Sequence, residues 1–247
     1  EKAFVFGGKG ARDGLYSAFF ATSKMTSPPD PLTGERGLFA CFAEAPQPNK
    51  LVDRLGDVFE IDNASIKKWC VGSPIQSVLD AIEILIAEHP IDPAGIEKVS
   101  LTMPSDRIHI IDDASMPTVC LQHLVALMIL RGDCTFSEAH DESLMTNSEI
   151  LKIRGKIEII KSDVLVRARP ARQSIVNIKL SSGRELEHHA KVVHGTPQRP
   201  MNKENVAKKA TSILASVSSQ DFSQLIDLCL DRKQFSIEEL LNSCKIM

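Results

Sequence analysis

"SIVNIKLSSGRELEHHAKVV", Ser174 to Val193, decides whether this chain is all-helical or mixed. Two runs alternate apolar and polar residues around Ser181-Ser182-Gly183. Period-two alternation on both sides of a short Gly-containing turn predicts a β-hairpin. Upstream, "IEKVSLTMP" (96–104) alternates in the same way, and "KIRGKIEIIK" (152–161) is strand-like. Between them, "MPTVCLQHLVALMILRGD" (116–133) predicts a largely buried helix ended by Gly132, and "FSEAHDESL" (136–144) a short one.

Further out the pattern turns helical. In "GSPIQSVLDAIEIL" (72–85), Ser73 suits an N-cap, Pro74 the first helical position, and Gln76 the third, which is the spacing of a capping box. Ile75, Val78, Leu79, Ile82, Leu85 and Ile86 form its apolar stripe, and Pro90 stops it. Residues 11–23 predict a helix with Leu15, Ala18, Phe19 and Thr22 on one face. Residues 27–37 are a Pro- and Gly-rich loop, 37–45 a short apolar segment and 50–58 another short helix. Residues 203–245 read as helical in about three pieces, with a second capping box at Ser236 and Glu239. The expected fold class is α+β. An all-helical domain (1–61 and 196–247) is interrupted by an inserted α+β domain (62–195).

Composition removes several classes. The chain has 247 residues, 43% hydrophobic and 25% charged, which suits a soluble globular protein. A net charge of −3 and 5% aromatic residues argue against a nucleic-acid partner. No apolar run reaches the ~18 residues of a membrane span. The six cysteines show no CxxC spacing, so reduced thiols and a cytoplasmic location are expected. The chain opens at Glu1 directly into "AFVF", so it is expected to be part of a larger protein.

Each chemical candidate has a plain structural reading beside it. "AFVFGGKGA" (3–11) suggests a strand joined to a helix by a glycine turn. It lacks the P-loop pattern, though a helix start there can hold a carboxylate. Gln76 is explained by its cap. His123 in "CLQHLVALMIL" is either a satisfied core residue or an acid/base group facing a cleft. His188 and His189 point to opposite faces of a strand and lack a third ligand, so no metal site is expected. Asp112-Asp113 and "HDE" (140–142) read as solvated charges and caps.

In series, "KAFVFGGKGARDGLYSAFFA", "GERGLFACF", "IKKWCVGSPIQSVLDAIEIL", "LQHLVALMILRGDCTF" and "SSGRELEHHAKVVHGTPQRPMNKENVAKKA" resemble the MmgE/PrpD family. That family includes 2-methylcitrate dehydratases and cis-aconitate decarboxylases. The resemblance implies a helical domain with an inserted α+β lid, here a C-terminal portion without the N-terminal helical part. It implies a homodimeric lyase removing water from a small di- or tricarboxylic acid after proton abstraction next to a carboxylate. An epimerase or isomerase, a decarboxylase, and a non-catalytic binding remnant are the alternatives. Lys2 looks like the family's substrate-side lysine. Gln76 stands where cis-aconitate decarboxylases carry a histidine, and His123 where they carry a tyrosine. On that basis His123 and Lys2 are the expected catalytic residues, and Gln76, Lys67 and Lys68 the expected substrate-binding ones. No metal or organic cofactor is required by these residues.

Overall fold

The computed structural model describes residues 2–230 and 234–244, with side chains from residue 5 onward among the first residues. It divides into two compact units that meet in sequence at Phe59 and Glu60.

The first unit holds helix α1 (Lys2–Thr22) and the short helix α2 (Leu38–Phe42). Residues 3–11 do not form the expected strand and glycine turn. The helix runs straight through Gly7, Gly8 and Gly10, none of which has a positive φ. A glycine inside a helix costs only about 1 kcal/mol relative to alanine, and the flanking residues are ordinary helix formers. The helix expected at 50–58 is likewise replaced by a single 3-10 turn, Pro48–Leu51. Arg54 (φ 54°) and Gly56 (φ 91°) are left-handed and stop any continuation. Phe6, Leu15, Phe19 and Phe20 of α1 are each exposed over half or more of their surface.

The second unit is built on a four-stranded sheet in the order β2–β1–β3–β4. Its strands are β1 (Ile96–Pro104), β2 (Ile157–Ser162), β3 (Ser174–Leu180) and β4 (Glu185–Ala190). The hairpin forms as expected, with Gly183 left-handed at φ 84° in its turn. β3 pairs antiparallel with β1, and β1 pairs parallel with β2. A parallel pair needs a crossover. It is supplied by α4 (Ile108–Ile111), α5 (Leu121–Arg131), α6 (Phe136–His140) and α7 (Ser148–Arg154). The run 152–161 is therefore split: Asn147 caps α7, accepting from the N–H groups of Glu149 and Ile150 at 3.0 and 3.2 Å, so Lys152–Arg154 belong to the helix.

Alternation sends Val99, Leu101, Met103, Val176, Ile178 and Leu186 to one face of the sheet. Helix α3 (Gln76–Glu88) lies against β3 and β4, α5 packs on α3, and α7 on α5. Val78, Leu79, Ile82 and Leu85 face this core and are at most 1% exposed. Gly132, left-handed at φ 75°, ends α5 as expected. A short α8 (Asp163–Arg167) follows β2. Beyond the sheet come α9 (Lys203–Ala215), α10 (Ser223–Leu230) and α11 (Ile237–Ser243), the three expected pieces. The Ser236–Glu239 capping box forms with both bonds, at 2.7 and 3.1 Å.

The capping box expected at Ser73 does not form. Ser73–Ile75 is a 3-10 turn, and the N–H of Gln76 already donates to the carbonyl of Ser73. The hydroxyl of Ser73 thus has no orphan donor to satisfy at that position, and the Gln76 amide is free to turn elsewhere.

The chain then returns to the first residues of this second unit. The N–H of Ile66 donates to the Gly195 carbonyl at 2.8 Å, and the Gly195 N–H donates to the Arg199 carbonyl at 2.8 Å. Gly195 has φ 90°, and a Cβ there would lie 1.9 Å from the Ile66 carbonyl oxygen. Only glycine fits between these two backbones.

Candidate functional site

The segment Lys67–Val71 is fixed from behind by Gln76. The Gln76 Oε1 accepts from the Trp69 N–H at 3.3 Å, and its Nε2 donates to the Trp69 carbonyl at 3.0 Å. Gln76 is 4% exposed, so these bonds satisfy an amide that is otherwise cut off from water. The Trp69 ring is buried on the core cluster, and its Nε1 donates to Asp133 at 3.4 Å. The Lys67 ammonium donates to the Val71 carbonyl at 3.1 Å. The Lys68 ammonium pairs with Glu83 of α3 and lies 4.8 Å from the Trp69 ring centre.

In front of this segment lies a cavity of about 340 Å³. Its walls are Lys68–Cys70, the Gly132–Phe136 connection after α5, His194, and the inner side of α9. Three ammonium groups line it, from Lys68, Lys208 and Lys209, against the carboxylates of Glu83 and Asp133. Lys209 is held in place by donating to the Lys67 carbonyl. Lys208 makes no hydrogen bond or ion pair among the described residues. Cys134 also lines the cavity, but burial, reinforced by Asp133, pushes its thiol up to about 12, so it stays protonated.

His194 enters this cavity on a fixed support. Its backbone N–H donates to Asp80 Oδ2 at 3.1 Å, and Arg199 Nη1 donates to the same oxygen at 2.6 Å. The Asp80 side chain is 1% exposed, so a nearly sealed carboxylate ties α3 to the 193–199 strap. Burial lowers the His194 pKa, helped by Arg199 and Lys68 and opposed by Asp80 and Glu83. The ring is therefore held neutral near pH 7, the state in which it can take a proton.

The expected site residues separate. Lys68 reaches the cavity, with Lys67 adjoining it through its carbonyl. Gln76 stands behind the wall with its amide engaged. His123 is 0% exposed within α5, lines none of this cavity, and has no hydrogen-bond partner on either ring nitrogen among the described residues. Burial, with Arg154 beside it, lowers its pKa; Asp141 opposes this. The Lys2 side chain lies outside the described residues. His188 and His189 sit on β4 outside the cavity. His189 shares a 2.9 Å hydrogen bond with Gln173.

His194, Lys208 and Lys209 were not singled out by the sequence. One signal was available. Asp80 interrupts the apolar run Val78-Leu79-Ala81-Ile82, and a carboxylate there demands a cation from elsewhere. That cation is Arg199, five residues after His194.

Among the described residues, no cluster of three His, Cys, Asp or Glu side chains is arranged to hold a metal ion. No described helix is long and apolar enough to cross a membrane. A comparison with curated proteins finds no match. The family profile of the MmgE/PrpD C-terminal domain matches residues 69–232, which span the sheet, its crossover helices and every lining residue of the cationic cavity except Lys68. That match covers well over half of a chain whose mixed helix-and-sheet fold agrees with it, and the chain belongs to the MmgE/PrpD family.

Proposed function

We infer that the protein is a lyase that removes water from a small di- or tricarboxylic acid such as 2-methylcitrate. The family includes hydro-lyases, which supports the coarse reaction class. The observation that carries the finer reading is a cavity lined by Lys68, Lys208 and Lys209 together with a half-buried His194 whose pKa is lowered. Ammonium groups in such a cavity favour a polyanion over a neutral molecule of the same size. His194 removes the proton next to a carboxylate, the electron pair forms the double bond, and hydroxide departs from the neighbouring carbon. The departing hydroxide takes a proton from an ammonium, for which Lys208 is the unengaged candidate. In this reading Lys67, Gln76 and Trp69 shape the wall, and the proton work assigned to His123 from the resemblance passes to His194. The lid role of residues 62–195 and a homodimeric assembly belong to the same proposal.

The test is turnover of 2-methylcitrate, followed by mass spectrometry of the dehydrated acid, together with exchange of the α-proton in D2O. The expected outcome is dehydration by the native protein and a loss of roughly 100-fold in kcat for His194→Gln, the usual scale for an acid–base group. A folded protein that binds the acid but neither dehydrates it nor exchanges its proton would refute a lyase.

A further inference from the structure

A second cavity, of about 270 Å³, lies at the far end of β1 and has the opposite character. Its floor is Met103, Ile108, Ile111 and Leu165, all at most 6% exposed. Gln173, the buried polar residue of the lining, is already engaged. Its Nε2 donates to the Pro170 carbonyl at 3.0 Å, and its Oε1 meets His189 at 2.9 Å. Two exposed arginines, Arg107 and Arg172, belong to its lining together with the exposed Asp106. The Arg107 Nε donates to its neighbour Asp106 at 3.3 Å. Arg172 makes no hydrogen bond or ion pair among the described residues. It is held at φ 69°, in the left-handed region that a residue with a Cβ occupies only at a cost in strain. An unengaged arginine in the lining of a largely apolar hollow is available to hold an anionic headgroup.

We propose that this cavity binds a medium-chain monocarboxylate, its chain on the Met103–Ile111 floor and its carboxylate on Arg172 and Arg107. A cavity of about 270 Å³ is at the small end of ligand pockets, which favours a short or medium chain over a long one. A second carboxylate on the same ligand would lie on the apolar side chains of Met103, Ile108, Ile111 and Leu165 and lose hydration with no charged partner there. The site therefore discriminates against the di- and tricarboxylic acids proposed for the cationic cavity, and it stands independently of that proposal.

The experiment is calorimetric titration of the protein with octanoate, with octan-1-ol and citrate as comparisons. Octanoate is expected to bind more tightly than octan-1-ol, and citrate is expected not to displace it. Arg172→Gly removes the fork while suiting the backbone. It should hold or raise the unliganded Tm and weaken octanoate at least about 10-fold, the scale of one charge-assisted contact. Ala171→Trp, at an exposed wall position, should fill the cavity and abolish binding. Three results overturn the proposal: no octanoate binding, affinity unchanged in both variants, or displacement of octanoate by citrate. A fall in the unliganded Tm of Arg172→Gly would make Arg172 a structural residue and overturn its role as a clamp.

Discussion

Arg199→Ala tests how the strap that carries His194 is held. Asp80 is nearly sealed in α3, and its Oδ2 receives both Arg199 at 2.6 Å and the His194 N–H at 3.1 Å. Its other oxygen, Oδ1, has no partner among the described residues, so Arg199 is the main compensation for this charge. Removing one member of a fully buried pair costs about 3–5 kcal/mol, because the other charge is left stranded. The Arg199 side chain is 43% exposed, so solvent screens part of that interaction and about 2 kcal/mol is the discounted figure. For a unit of this size, that is a fall of about 4–8 °C in Tm. Adding Asp80→Asn to Arg199→Ala removes the stranded charge and should recover about half of the loss. Chemical denaturation of the wild type, both single variants and the double variant completes the cycle. A loss below about 0.5 kcal/mol for Arg199→Ala, or no recovery in the double variant, would refute the account of Asp80 as a buried anchor.

The other predictions concern the strap and the core. Gly195→Ala should cost several kcal/mol, because its Cβ would lie 1.9 Å from the Ile66 carbonyl oxygen and its φ is 90°; a variant with the wild-type Tm would show that the strap shifts freely. His123→Leu should stabilise the protein at pH 7 by about 1–3 kcal/mol, the penalty of an unpaired buried polar group. It should also flatten the acid limb of stability. With the folded pKa of His123 depressed, the unfolded chain binds the proton more readily. Stability is therefore full above the ordinary histidine pKa of ~6.5 and falls as pH drops toward the folded value. His189 and His194 are shifted in the same direction and keep part of that limb. Denaturation between pH 5 and 7.5 checks both points, and an unchanged slope in His123→Leu would assign the acid limb to other groups.

The elements that were legible from sequence share one property, that a single local period dictates them. The hairpin at 174–193, β1, and α5 with its Gly132 stop all follow from side-chain alternation or an uninterrupted apolar run. Two misreadings came from local signals that a neighbouring hydrogen bond overrode. The Ser73/Gln76 spacing fits a capping box, but a 3-10 turn closes first and takes the N–H. The glycines at 7, 8 and 10 suggest a turn, but none adopts a left-handed φ and the helix continues. The cationic cavity was only partly legible. Lys68 lies in a basic stretch, but His194, Lys208 and Lys209 join it through the return of the chain at Gly195, a contact between residues far apart in sequence.

The central claim is that the cavity of Lys68, His194, Lys208 and Lys209 receives a small polycarboxylate. Calorimetric titration of 2-methylcitrate into the wild type and into Lys208→Gln tests it most directly. Lys208 is exposed and without a partner among the described residues, so its loss should leave Tm unchanged. The account predicts binding by the wild type that weakens with added salt, and affinity roughly 10-fold lower in Lys208→Gln, the scale of one charge-assisted hydrogen bond. Equal affinity in the two proteins, or no binding to the wild type, would contradict it.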